Sequence, residues 1–220
     1  MTKLGTIVFD TIGTCFSLVR PQQRLTALGA PSQTLSLWFA QTLRDAFALS
    51  HAGDYRPLQE ILSAELPRTL KQLDIAATPA QIYQTIAAFS ELELQVDAVE
   101  SFEMLAQAGL KIVALTNGSE ESTRKLLARA DCLKYFAKIH SADAVKKTKP
   151  HPDVYSLVSA DLVGDTWLVA AHAWDIVGAA RAGLKTAFIT QTEREYLAAY
   201  PAPTLIGSSL CDVAHKILSI

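Results

Sequence analysis

The sequence predicts an α/β fold with a parallel sheet, interrupted after its first strand by a helical insert. Half of the 220 residues are hydrophobic, which is enough to build a buried core. Several short segments are apolar at every successive residue, a pattern typical of parallel strands that helices cover on both faces. The stretch from Leu18 to Leu94 carries helical patterns instead. We therefore expect an alternating strand and helix core with one inserted helical unit.

Four short apolar runs are predicted to be strands of the core: 6–9, 112–115, 167–170 and 186–189. Helices are expected between them. The segment 119–130 begins with Ser119 and two acidic residues and carries its basic residues later, an order that suits the helix dipole. The segment 175–182 precedes Gly183, a residue suited to ending a helix.

The insert is predicted to be a helical cap over residues 18–95, on a core formed by 1–17 and 96–220. Phe39, Leu43, Ala46 and Phe47 recur at the spacing of one helix face. Five residues that interrupt helices are expected to divide the insert into about four helices. They are Pro31, Gly53, Pro57, Pro67 and Pro79.

Composition narrows the classes of partner. The formal net charge is −2, and no block of like charges forms a binding surface for nucleic acid or for an anionic membrane. A small anionic molecule remains compatible with this balance, because a single pocket can be basic in a neutral protein. Three cysteines without CxxC spacing favour reduced thiols. With no signal-peptide pattern at the start and no run of about 18 apolar residues, we expect a cytoplasmic protein.

Polar residues at the ends of the predicted strands are the first candidates for chemistry, because ligands of open α/β sheets bind beyond the carboxyl ends of the strands. These residues are Asp10, Thr14, Thr116, Asn117, His172 and Asp175. Each also has a structural interpretation. Asp10 and Asp175 could cap a turn or a helix, the segment 116–119 could bind an anion or form an N-cap, and His172 could be a buried structural histidine.

Lys149 stands just before a helix that begins with proline. A lysine at such a place is usually only solvated. Beside Asp10 it would instead hold that carboxylate ionised and would offset repulsion from Asp175.

Four segments stand in order along the chain: FDTIGT, LTNGS, KPHPDVY and VAAHAWD. Together they resemble the four motifs of the haloacid dehalogenase superfamily, and within it the L-2-haloacid dehalogenase (type II) group. The resemblance covers nearly the whole chain. It implies a Rossmann-like core, a helical cap inserted after the first motif, and a hydrolase with an aspartate nucleophile.

Two departures from the phosphatases of that superfamily indicate a different leaving group. Ile12 stands where those phosphatases carry a second Asp as general acid, and Ala170 and Ala171 stand where Gly-Asp usually helps to hold Mg²⁺. Magnesium prefers carboxylates and phosphate oxygens in an octahedral array, and Asp10 and Asp175 alone would supply too few. No cofactor is therefore expected, and Mg²⁺ is expected only if the substrate is a phosphate ester.

The resemblance implies a two-step reaction. Asp10 would attack C2 of a 2-halo acid, expel halide with inversion and form an ester that water then hydrolyses. Lys149 would keep Asp10 anionic, while Thr14 and Asp175 would orient the site and help to position water. The substrate-binding residues implied are Thr14, Thr116, Asn117, Tyr155 and His172.

Recognition of the substrate departs from that group. The group typically has an arginine directly after a tryptophan in the first long cap helix, but here Phe39 follows Trp38. Arg44, further along the same predicted helix, is the candidate replacement. His172 stands where asparagine is common, and Ala170 replaces a serine.

The leading prediction is metal-independent hydrolytic dehalogenation of short 2-haloalkanoic acids. Two alternatives stay open: the same aspartyl-ester chemistry on another small substrate, such as a phosphate ester, and a non-catalytic protein of the same fold that binds a small acid. A homodimer is implied by the resemblance alone.

Overall fold

The computed structural model describes residues 5–161 and 163–220. Over these residues the strands are β1 (Gly5–Phe9), β2 (Phe16–Ser17), β3 (Glu93–Leu94), β4 (Lys111–Thr116), β5 (Phe136–Ser141), β6 (Asp165–Ala170), β7 (Lys185–Ile189) and β8 (Leu205–Gly207). Six of them form a parallel sheet in the order β5-β4-β1-β6-β7-β8. The predicted α/β fold is confirmed, and each of the four predicted strands is present. The two edge strands of this sheet, β5 and β8, were not predicted.

The helices are α1 (Val19–Ala27), α2 (Thr34–His51), α3 (Leu58–Gln72), α4 (Pro79–Ala87), α5 (Ala98–Gln107), α6 (Glu120–Arg129), α7 (Pro152–Ser156), α8 (Ala173–Arg181), α9 (Thr190–Glu193) and α10 (Leu210–Ser219). Two apolar clusters cover the two faces of the sheet. Phe9 and Phe102 belong to one, and Val8 and Ile176 to the other. Successive residues of β1 thus point to opposite buried faces, which explains why residues 7–9 are all apolar.

The two predicted core helices are confirmed with small shifts. Helix α6 begins after Ser119, whose side chain accepts a hydrogen bond from the backbone N–H of Ser122. Helix α8 begins two residues earlier than predicted, at Ala173. Gly183 follows its end with φ of +84°, the left-handed conformation in which glycine carries little strain.

Residues 18–95, called the cap segment below, contain the four helices α1 to α4, as predicted. Pro67 does not divide two helices, contrary to the prediction, but lies inside α3. The reason is burial: Leu62, Leu66 and Leu70 form one continuous apolar face of α3, and packing of that face outweighs the backbone hydrogen bond that proline lacks.

The ends of the cap segment are joined by an antiparallel pair, in which Phe16 faces Leu94 and Ser17 faces Glu93. The prediction that residues 18–94 contain no strand is therefore wrong for Glu93 and Leu94, which form β3. A two-residue strand depends on its partner, so the local sequence carries no pattern for it. Of the predicted core range 1–17, residues 1–4 lie outside the described residues. The division into core and cap remains a prediction.

Aromatic contacts join the cap segment to the carboxyl end of the sheet. Phe47 of α2 packs edge-on against Trp174 of α8, with ring centres 5.4 Å apart. Thr148 donates its backbone N–H to Ser50 Oγ, at the end of α2. Within the described ranges, every helix is too short or too polar to cross a bilayer.

Candidate active site

Asp10 lies directly beyond β1, at the centre of the sheet between β4 and β6. Its backbone N–H donates to the carbonyl of Val169, which continues the sheet pairing by one residue. Thr14 Oγ1 donates to Asp10 Oδ2 at 2.6 Å and accepts from the backbone N–H of Ala171 at 2.9 Å. The turn between them uses Gly13 with φ of +83°. Strand pairing and a short loop thus fix the carboxylate, of which only 6% is exposed.

Lys149 joins the two carboxylates of the site. Its buried ammonium donates to Asp10 Oδ1 at 2.9 Å and to Asp175 Oδ2 at 2.7 Å. The third hydrogen bond goes to the carbonyl of Leu115, at 2.9 Å. All three N–H donors of the ammonium are therefore used, and the side chain can be buried with its charge compensated.

Asp175 is held from its other side by Tyr155. The Tyr155 hydroxyl donates to Asp175 Oδ1 at 2.6 Å. Gly178 permits this approach, because a Cβ there would overlap the Tyr155 hydroxyl and lie 2.7 Å from Cβ of Pro150. Tyr155 is buried and supports that carboxylate. Its contact with the substrate stays a prediction.

The two carboxylates differ in ionisation. Burial alone would raise the pKa of Asp10, but the charges of Lys149 and His172 and the hydrogen bond from Thr14 outweigh it and hold that pKa below its ordinary value. Burial and the negative charge of Asp10 raise the pKa of Asp175, against the opposing effect of Lys149. Burial would lower the pKa of Lys149, but its two carboxylate partners raise it. Asp10 is thus the carboxylate that the site keeps ionised.

Thr116 and Asn117 tie the loops of the site together. Thr116 Oγ1 accepts from Thr11 Oγ1 at 2.8 Å and from the backbone N–H of Gly118 at 3.0 Å. Asn117 Oδ1 accepts from the backbone N–H of Lys149 at 2.8 Å. Both side chains are buried and already engaged, so they hold Lys149 and the first loop in place.

His172 lies between the loop that follows Asp10 and helix α9. Its Nε2 is 3.3 Å from the carbonyl oxygen of Ile12, and its Nδ1 is 3.4 Å from Glu193 Oε1. The ring stacks on Trp174 at 5.4 Å. Glu193 was missed by the sequence analysis, although it follows the predicted strand 186–189, where the same strand-end rule applied.

Arg44 pairs with a carboxylate of the cap segment and not with Asp10 or Asp175. That it replaces the missing arginine stays a prediction. Its half-exposed guanidinium donates to both oxygens of Asp45, at 2.6 and 2.9 Å. Asp45 also pairs with Arg68 of α3. The helix period explains this position: Leu43 points inward, and the next residue is rotated by about 100° toward the cap surface.

A cleft between the cap segment and the core opens beside the loop of Asp10. Ile12 and Gly118 border it from the core, and Leu58, Leu62 and Phe89 border it from the cap segment. Its lining is mostly apolar, which suits a small molecule with a short hydrocarbon chain.

Known proteins resemble this chain along most of its length. The sequence model of the haloacid dehalogenase-like hydrolase family matches residues 5–183. An (S)-2-haloacid dehalogenase of Pseudomonas sp. (strain YL) is 28% identical over 203 residues, which cover 87% of this chain and 85% of that protein.

Two solved structures of an L-2-haloacid dehalogenase from Xanthobacter autotrophicus share the fold. One has a TM-score of 0.86 at 21% identity, and the other, with chloropropionic acid covalently bound, has 0.84 at 22%; both matches cover 98% of each chain. The chain belongs to the haloacid dehalogenase-like hydrolase family.

Proposed function

We propose that this protein hydrolyses short 2-haloalkanoic acids, with Asp10 as the nucleophile and without a metal ion. The observation that carries the proposal is the buried ammonium of Lys149 between Asp10 and Asp175. Ion pairing keeps Asp10 anionic at neutral pH, as a carboxylate nucleophile requires. Each oxygen of Asp10 accepts one described hydrogen bond and retains a further lone pair for attack.

In the first step an oxygen of Asp10 attacks C2 of the substrate. A C–O bond forms as the carbon–halogen bond breaks, and the halide leaves with the bonding electron pair. Halide needs no proton to leave, so the lack of an acidic side chain at Ile12 is consistent with this substrate class. The product of the step is an ester of Asp10.

In the second step water attacks the carbonyl carbon of that ester. One proton of the water passes to the departing alkoxide, which becomes the hydroxyl of a 2-hydroxy acid, and the other is released to solvent. The Asp10 carboxylate is regenerated. Thr14 holds one of its oxygens and Lys149 the other, so the carbonyl is fixed while water approaches.

Magnesium does not fit the donor set of this site. Ala170 and Ala171 supply no carboxylate, and the ammonium of Lys149 lies between Asp10 and Asp175, where it already binds one oxygen of each. Within residues 5–161 and 163–220, no group of three His, Cys, Asp or Glu side chains could hold a metal ion. The donor set therefore supports a reaction driven by side chains alone.

The choice of substrate class is supported from two sides. The relative from Xanthobacter autotrophicus carries chloropropionic acid covalently bound and shares this fold. In the present chain the cleft beside Ile12 is mostly apolar, which suits the alkyl part of a short halo acid.

The test is halide release from L-2-chloropropionate in the presence of EDTA. We expect release by wild type and none by Asp10→Asn, which keeps the shape of the side chain and removes its charge. Asp131→Asn is the matched control, because that carboxylate is 90% exposed, and it should release halide like wild type. Folding of each variant is checked by circular dichroism.

A second measurement identifies the nucleophile. After turnover in ¹⁸O-labelled water, mass spectrometry of the peptide that contains Asp10 should show incorporated ¹⁸O, since water attacks the carbonyl of its ester. Label found only in the product would contradict the aspartyl ester. No halide release by folded wild type would overturn the substrate class, and magnesium-dependent phosphate release would favour the phosphate-ester alternative.

A further inference from the structure

The imidazole of His172 faces hydrogen-bond acceptors at both of its nitrogens. Nε2 faces the carbonyl oxygen of Ile12 at 3.3 Å, and Nδ1 faces Glu193 Oε1 at 3.4 Å. The other oxygen of Glu193 accepts from the backbone N–H of Ala173 at 3.1 Å. One carboxylate oxygen of Glu193 is therefore held by the first residue of α8, and the other faces the imidazole of His172.

Two acceptors favour the charged form of this ring. A neutral imidazole carries one proton and would present a lone pair to one acceptor, whereas an imidazolium donates to both. Burial lowers the pKa of His172, but the hydrogen bond to Glu193 and the charges of Glu193, Asp10 and Asp175 raise it above its ordinary value. The neighbouring aromatic rings, Trp174 at 5.4 Å and Phe39 at 6.2 Å, carry no charge.

The position of the ring couples it to the nucleophile loop. A Cβ on Gly13 would lie 2.6 Å from His172 Nε2, so the ring packs directly against the backbone two to three residues after Asp10. Thr192 of α9 donates to the carbonyl of Gly13 at 3.1 Å. Helix α9 and His172 thus hold one side of the loop, while Thr14 holds the other.

The charges in the site indicate what a charged His172 would do. An anionic substrate adds a third negative charge beside Asp10 and Asp175, and the ammonium of Lys149 already lies between those two. Arg44 pairs with Asp45 on the cap surface and brings no charge to the carboxylates. A positive charge on the His172 ring would act on Asp10 and lower its pKa.

We propose that His172 is a positioning residue that Glu193 holds as an imidazolium, so that it fixes the Ile12–Gly13 loop and balances the charge of an anionic substrate next to Asp10. This inference rests on the proposed function for its substrate but not for the charge of His172. Charged groups that act on the ring come from three elements: Glu193 of α9, Asp175 of α8 and Asp10 beyond β1. Lys149 lies 5.7 Å from the centre of the Trp174 ring on which His172 stacks.

The charge is measured without turnover, by titrating the ¹⁵N resonances of the imidazoles by NMR. The chain has five histidines, and loss of one set of signals in His172→Asn assigns the ring. We expect its titration midpoint to lie above the ordinary histidine value of about 6.5 and to fall in Glu193→Gln. Glu195→Gln is the matched control and should leave the midpoint unchanged. A midpoint at or below about 6.5, or one insensitive to Glu193→Gln, would overturn the inference.

The role is measured with the pH profile of kcat/KM for L-2-chloropropionate. In wild type we expect activity to fall as pH rises through the midpoint found by NMR, because the imidazolium loses its charge there. In His172→Asn this alkaline limb should disappear. KM should rise roughly tenfold with a smaller change in kcat, because a nearby opposite charge commonly shifts an equilibrium by that factor or more. Persistence of the limb in His172→Asn would show a structural role only and overturn the proposal.

The two proposals fail separately. A high NMR midpoint without halide release by wild type would overturn the proposed function and leave the charged His172 intact. Halide release together with a low midpoint would overturn the charged His172 and leave the proposed function standing.

Discussion

The ammonium of Lys149 lies 2.9 Å from Oδ1 of Asp10, and neither side chain is more than 6% exposed. Burial disfavours both charges, but pairing holds the pKa of Asp10 below its ordinary value and raises that of Lys149. The ionised Asp10 therefore adds to the free energy of unfolding. Its contribution is complete above the unfolded-state pKa of about 3.9, and it is lost as the pH falls through the lower folded-state pKa. Stability from Lys149 is present below about 10.4 and is lost as pH rises through the higher folded-state pKa.

Replacing Lys149 by methionine should abolish halide release and destabilise the fold by about 3–5 kcal/mol at pH 7, because two buried carboxylates lose their cation. Urea unfolding monitored by circular dichroism measures the free energy. The loss should shrink as pH is lowered, since protonated carboxyls no longer need a cation.

The matched control for that variant is Lys125→Met, on a side chain that is 75% exposed. Its surface pair with Glu121 should contribute little, so its urea midpoint should equal that of wild type. A Lys149→Met protein as stable as the control would contradict the inference that the two buried carboxylates need the charge of Lys149.

Thr14→Val should move the acid limb of the pH profile of kcat/KM upward. The Thr14 hydroxyl donates to Asp10 and helps to lower its pKa, so removing it raises that pKa, and activity is then lost at a higher pH as acid is added. The displacement is read from the pH at which kcat/KM falls to half of its plateau. Thr14→Ser keeps the hydroxyl and should restore the wild-type limb; identical limbs in all three proteins would exclude this role.

Much of the site could be predicted from the sequence because the strands that carry it are neighbours. β4 and β6 flank β1 in the sheet, so polar residues at their carboxyl ends are brought together. This argument selects Asp10, Thr116 and His172 without any knowledge of the fold's details. Lys149 comes from a loop, and its place beside Asp10 followed only from the resemblance.

The rest depends on tertiary contacts that leave no local pattern. The strand-end rule could have placed Glu193 at this edge of the sheet, but its pairing with His172 depends on how the four-residue helix α9 packs. Asp45, the neighbour with which Arg44 pairs, is also held by Arg68 of α3, a contact between two helices that the spacing within α2 does not show. Tyr155 could be placed near the site, but its hydrogen bond to Asp175 depends on how closely α7 and α8 pack at Gly178.

Arg44→Ala tests whether the cap supplies the substrate's counter-charge. Because Arg44 pairs with Asp45 on the cap surface, we expect KM for L-2-chloropropionate to change by less than about twofold, as for other surface ion pairs. Steady-state halide release measures KM. A rise of tenfold or more would mean that the cap segment moves when substrate binds and carries Arg44 to the anion.

Gly13→Ala tests the placement of the His172 ring against the nucleophile loop. Alanine there meets two penalties, the strain of a φ of +83° and an overlap with His172 Nε2 at 2.6 Å. In a His172→Ala background the overlap is gone and the strain remains. The same substitution should therefore lower the free energy of unfolding by a smaller amount. A double-mutant cycle of unfolding free energies should give a coupling of about 1–2 kcal/mol, typical of residues in contact.

Gly29→Ala separates the two penalties, because Gly29 has φ of +77° and no atom within 4 Å of the added Cβ. It should show the strain alone, about 1 kcal/mol, in both backgrounds. Equal costs of Gly13→Ala with and without the imidazole would place the ring away from the loop. A coupling confined to Gly13 would show that His172 shapes the backbone on which the nucleophile depends.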